Sequence, residues 1–318
     1  MIAIRIRALL VIAAGLLSLL CAAAPAAAAD RVLRVIVPTP AGTSADLMAR
    51  ILAEHMAPSL GAVLVVENKP GASGAIAVEA MLQGGAPALL VAGLDHILYG
   101  PAALGRKPWD PLTDFKPVGL VNNDRWVIIG HPPTAGDLQS LLRTARGRPL
   151  RCANAGLGTT QHAVCAWVGK RLGVEVDHVP YSQGFLPDLI GGRVDIAAMP
   201  VPGATAALSG GRVRGVMLLS RERHPSFPSI PTSLELHPPG IIFESGLALY
   251  AAPGMADREV DQVHEALQRA ESDDAVRKRF AELGVDPAAA TRAESMQQLR
   301  VRIRLNDEMR LEALGKAR

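Results

Sequence analysis

Three observations mark this chain as an α/β protein of two lobes. Apolar, β-branched runs alternate with Gly/Pro/Ser/Thr-rich loops and segments of helical periodicity. The alternation starts afresh near residue 130, and the last quarter is helical after one final strand. The 318 residues are 49% hydrophobic and 20% charged, which suits a globular chain with two cores and excludes a disordered one. Aromatic residues are only 3%, too few for single-strand stacking platforms, and there is no basic run, so nucleic acid is not an expected partner.

Residues 1–29 read as a leader. Arg5 and Arg7 precede an apolar stretch over 8–20, and small residues over 22–29 offer A-x-A cleavage sites before Asp30. Pro25 and the alanine run favour cleavage over retention as a membrane anchor, and Leu20 before Cys21 argues against a lipid-anchored form. The leader implies secretion. Without the two leader arginines the chain is close to neutral.

In order, a strand over 32–37 runs through a loop at 38–46 into a helix, a strand over 62–66 through a Gly-rich loop into a helix over 75–82, and a third strand covers 88–92. That βαβαβ order calls for a parallel sheet with right-handed crossovers. Residues 101–117 read as loop. A second unit then follows, with strands expected over 127–129, 150–153, 174–179, 194–198 and 213–219 and helices over 135–145, 160–172 and 186–190. Pro-rich segments at 131–133 and 225–239 read as its linkers. A last strand over 247–250 precedes an amphipathic helix carrying Val260, Val263, Leu267 and Ala270 on one face, and a charged helix over 291–314. An interrupted first lobe completed by the C-terminal segment accounts for this order: 30–124 with 244–318, against 125–243. Cys152 ends a strand and Cys165 lies inside the following helix, so two buried free thiols are expected.

Two loops carry the candidate chemistry. Thr43-Ser44-Ala45-Asp46 has the form of a capping box, and unpaired N–H groups near Gly42 to Ser44 point to an anion site at a helix start. Ala155-Gly156-Leu157-Gly158-Thr159-Thr160-Gln161-His162 repeats the device in the second unit. Gln161 in the place of a third glycine, and no acidic residue at the right distance, exclude a dinucleotide fingerprint. His162 falls in a first helical turn, where it caps, orients the loop or touches ligand. No metal-ligand spacing, P-loop or G-x-S-x-G elbow is present. No cofactor, metal or catalytic residue is therefore expected, and a hydrolase would need a nucleophile–base pair that nothing in the sequence assembles.

At these residues the sequence resembles the Bug family, the periplasmic solute receptors of tripartite tricarboxylate transporters. The ordered pieces are Pro38 to Asp46, Val65-Val66-Glu67-Asn68-Lys69-Pro70-Gly71, Trp109-Asp110-Pro111 with Asp114-Phe115 and Pro117-Val118, Gly158-Thr159 with His162, His178-Val179-Pro180-Tyr181, and Gly191-Gly192-Arg193-Val194-Asp195. The resemblance implies a type II periplasmic-binding fold whose lobes, joined by two crossing strands, close on a small organic acid. It places ligand contacts at Gly42, Thr43, Ser44, Ala155, Gly158 and Thr159, with Asp46 and His162 in support; Thr39, Ala41 and Tyr181 are further candidate ligand-binding residues. It implies a monomer whose partner is a membrane permease or, alternatively, a sensor-kinase ectodomain. Thr39 stands where the family has an aromatic, and Ala41 and Thr43 where it has a proline and a glycine, so the pocket wall differs from the usual one.

Overall fold

A computed structural model of the chain describes residues 31–315 apart from 86, 157–158, 182–183 and 237–239. The leader expected over 1–29, and Gly158, lie outside the described residues. The first sheet is built on β1 (Arg31–Val37), β2 (Ala62–Asn68) and β3 (Ala88–Ala92), all parallel. Each is an apolar run that ends at a loop, and β2 and β3 each follow a helix end. The crossovers are α1 (Ser44–Leu60) and α2 (Ala75–Gln83). β11 (Ala248–Ala251) adds antiparallel to β3, and β4 (Lys116–Leu120) closes the order β2-β1-β3-β11-β4. β4 falls within and just beyond the stretch read as loop: Pro117 lacks an N–H for a ladder, but an edge strand tolerates that.

The second sheet centres on β5 (Asn122–Gly130), β6 (Leu150–Asn154), β7 (Val176–Pro180) and β8 (Ile196–Pro200). β6 runs parallel to β7 and β8. β5 pairs antiparallel with β8, with β9 (Arg214–Leu218), and at its start with the two-residue strands β10 (Glu244–Ser245) and β12 (Asp286–Pro287). The helices here are α3 (Leu138–Gly147), α4 (Thr160–Leu172) and α5 (Val201–Ser209). α6 (Asp257–Ser272) and α7 (Asp274–Glu282) return to the first sheet.

The chain passes between sheets at β4–β5 and back at β10–β11. There the Val121 N–H reaches the Leu247 carbonyl at 2.9 Å, and the Leu247 N–H reaches the Asn122 side chain at 2.7 Å. The Pro-rich segments are therefore not the linkers. Pro132 and Pro133 open a helical turn, Pro132–Ala135, where a missing N–H costs nothing, and residues 225–236 fold back beside β9 through a Leu218–Thr232 bridge. The last helix, α8 (Arg292–Leu314), spans both bodies: Leu299 and Ile303 pack in the first core, Met309 in the second.

Cys152 and Cys165 form a disulfide, which corrects the expectation of free thiols. α4 folds straight back over β6, so position 165 lies above position 152 with the Cα atoms 6.4 Å apart, within bridging range.

Candidate functional site

Both expected loops sit at the carboxyl ends of parallel strands, and both are built by their own side chains. In the loop after β1, Thr43 has the extended backbone of an N-cap, and its Oγ1 accepts from the Asp46 N–H at 3.4 Å. Thr39 and Thr43 hydroxyls lie 2.7 Å apart, and Thr43 Oγ1 also donates to the Pro40 carbonyl at 2.9 Å. Asp46, 2% exposed, is the hub. It accepts from the Gly42 N–H at 2.9 Å, from Asn68 at 2.9 Å and from Arg50 at 3.1 Å, while Asn68 also holds the Thr39 carbonyl at 3.0 Å. Burial pushes the Asp46 carboxyl up, but Arg50, Gly42 and Asn68 together outweigh it and hold the group below its ordinary range. The Gly42 N–H is thus spent within the protein. Those of Ser44 and Ala45, the first two residues of α1, have no acceptor among the described residues. Ala41 is exposed at the loop tip.

After β6 the pattern recurs. Asn154 accepts from the Gly156 N–H at 2.9 Å, and Thr159 caps α4, accepting from the His162 N–H at 3.3 Å and donating to the Gly156 carbonyl at 2.7 Å. The N–H groups of Thr160 and Gln161 have no acceptor among the described residues. Ala155 is exposed, and the Tyr181 N–H on the neighbouring strand end meets the Asn154 carbonyl at 2.8 Å. The Tyr181 hydroxyl donates to Asp188 at 2.7 Å. The buried His162 ring sits edge-on to His178, centroids 4.3 Å apart; burial first, then His178 and Arg310, push it down to about 4, so at neutral pH it is uncharged.

Three further residues join the two bodies: Thr160, from the second candidate loop, and Asp95 and Arg310, which the sequence did not mark as site residues. Asp95 follows β3. Its carboxylate accepts from the Thr160 hydroxyl on the first residue of α4 at 2.5 Å. Arg310 of α8 donates to Thr160 at 2.8 Å, lies 3.4 Å from Asp95 and stacks over the Tyr99 ring at 3.9 Å. This contact brings the carboxyl end of β3 onto the start of α4. Asp95 was legible only as another residue after a strand end, and Arg310 has no local signal. Between the bodies, beside Thr160, lies a cavity of about 170 Å³. The Tyr250 hydroxyl and His96 Nδ1 in its wall have no hydrogen-bond partner among the described residues, and burial pushes Asp124, also in its wall, up to about 6. A larger groove of about 940 Å³ runs along α8, but none of the loop residues line it.

Two α/β bodies joined by crossing strands, with paired helix starts at the strand ends, define a bilobal solute-binding protein. Residues 48–310 match the family model described as tripartite tricarboxylate transporter family receptor, and the chain belongs to that family. It is 30% identical to Protein BugT of Bordetella pertussis over 269 residues, covering 82% of each chain. Among solved structures it is similar to the periplasmic binding protein BugD (26% identity, TM-score 0.69, covering 88% of this chain and 97% of that one). It is also similar to MatC from Rhodopseudomonas palustris with bound malate (27% identity, TM-score 0.70, covering 89% and 97%). The family is one of substrate-binding receptors rather than enzymes.

Proposed function

We propose that the protein is a monomeric extracytoplasmic receptor that closes on a small organic carboxylate and passes it to a permease of the tripartite tricarboxylate type. The observation that carries this reading is the pair of helix starts whose leading N–H groups, at Ser44 and Ala45 and at Thr160 and Gln161, have no acceptor among the described residues. Each is a ready anion site, and the internal bonding of Asp46, Asn154 and Thr159 holds its loop open without a ligand. MatC, 27% identical, carries malate, which supports a carboxylate here. On this reading 30–124 with 244–318 moves against 125–243 about the two crossing strands, no bond is made or broken, and removal of 1–29 leaves the chain in the periplasm.

The test is thermal stabilisation of the mature chain across a panel of organic acids. A ligand at a hundred times its Kd adds about 2.7 kcal/mol, which raises Tm by roughly 5 °C or more. Folded protein that no acid in the panel stabilises would count against the proposal.

A further inference from the structure

We propose that the cavity between the two bodies is a specificity subsite for a hydroxyl group on the bound acid, and that the Tyr250 hydroxyl reads it. This rests on the receptor reading above and narrows its ligand class to hydroxy acids.

Tyr250 is fixed in the first sheet, on β11 between β3 and β4, 0% exposed and with the Phe115 ring centroid 5.7 Å away. It lines the cavity, and its hydroxyl has no hydrogen-bond partner among the described residues. Buried side-chain hydroxyls are nearly always bonded, because leaving one unpaired forfeits its bonds to water. His96 Nδ1, in the same wall, is open in the same way. Burial keeps both groups uncharged at neutral pH. The other polar residues of the wall already have protein partners. Asp95 is bonded to Thr160, Asp124 to Asn122, Ser245 to Trp126, and Asn306 to the Arg302 carbonyl. Arg302 directs its guanidinium to the Asn122 carbonyl and the Asn123 side chain. The bonding capacity left over is that of neutral groups, which suits a hydroxyl.

The cavity also has room for the part of the ligand that carries the hydroxyl. Its volume is about 170 Å³, and a cavity of about 150 Å³ accommodates a benzene ring. Leu94, Leu120, Leu247 and Leu299 supply apolar wall. Thr160 links it to the anion site: the residue lines the cavity, and its N–H is one of the open pair at the start of α4. A carboxylate held there has the cavity next to it.

Calorimetric titration of the mature wild type and of Tyr250→Phe tests this. The probes are benzoate with its meta- and para-hydroxy and matching fluoro derivatives, and hexanoate with its terminal-hydroxy derivative. In the wild type the best-placed hydroxy acid is expected to bind about tenfold more tightly than its parent, the effect of one hydrogen bond, and the fluoro acids no more tightly than benzoate. Tyr250→Phe is expected to erase that gain and to leave the parent acids within about twofold of their wild-type affinity. Hydroxy acids that gain nothing in the wild type mean that water alone serves Tyr250, and overturn the inference. A gain that the fluoro acids share, or one that survives in Tyr250→Phe, overturns it too. So does a wild type that binds other organic acids and none of these probes. Each of these results leaves the receptor reading standing, whereas no binding of any acid in the wider panel overturns both.

Discussion

Asp46→Ala is the substitution that most directly tests how the first loop is held. The carboxylate is 2% exposed and anchors the Gly42 N–H, the Asn68 amide and the Arg50 guanidinium. Net hydrogen bonds to a charged group contribute about 1.5–3 kcal/mol each. Arg50 has 48% of its side chain exposed and rehydrates when its partner is removed, so its share is below about 1 kcal/mol. Gly42 and Asn68 carry most of the effect, and relaxation of the loop recovers part of it, leaving a loss of about 3 kcal/mol. For a chain of this size that lowers Tm by roughly 6–9 °C. Affinity for a bound carboxylate should fall about tenfold as well, because the Asn68 bond that holds the Thr39 carbonyl loses its second anchor and the loop must be ordered on binding. Circular-dichroism melting and calorimetric titration of the same preparations read both effects. Asp46→Ala melting within 2 °C of wild type with unchanged affinity would refute the hub role.

Three other outcomes are expected. Glu271 is buried and its carboxyl is pushed up to about 8, so the folded chain keeps a proton that the unfolded chain releases near pH 4.5; stability should therefore fall as pH rises from about 4.5 to 8, and Glu271→Gln should flatten that slope and raise Tm at pH 8. Replacing Cys152 and Cys165 together by alanine opens a loop of 13 positions and should cost about 3 kcal/mol, read as a lower denaturant midpoint. Thr160→Val removes the hydroxyl that joins Asp95 to α4, and small-angle scattering should give a larger radius of gyration for the ligand-free variant; an identical scattering curve would mean that this contact does not hold the lobes together.

The elements that the sequence made legible are those with local signals. β1, its loop and α1 carry a β-branched run, a capping Thr and a helical apolar stripe within 30 residues, and the structure has all three in place. α5 was not expected; Pro202 falls at its second helical position, where it does no harm. β4 was missed because Pro117 and Gly119 weaken a strand signal that an edge position tolerates. The free-thiol expectation failed because spacing along the chain does not say over which strand residue a helix folds back. Thr43 and Asp46 were read from a capping pattern and Thr159 from the family resemblance, and the structure has Thr43 and Thr159 as the N-caps of α1 and α4. Gly42 was chosen for an N–H that proves to be bound to Asp46, a bond set by the side chain four residues on.

The amino-acid sequence by itself determined the alternation of strands and helices, the two capped loops and the family, because each depends on residue order over short spans. Only the tertiary structure decided which N–H groups stay open, that α8 serves both bodies, and that Asp95, Thr160 and Arg310 meet. Those three residues are 65 and 150 positions apart in the chain. Their contact arises from the packing of two sheets and a helix around a shared seam, and no local pattern of residues encodes it.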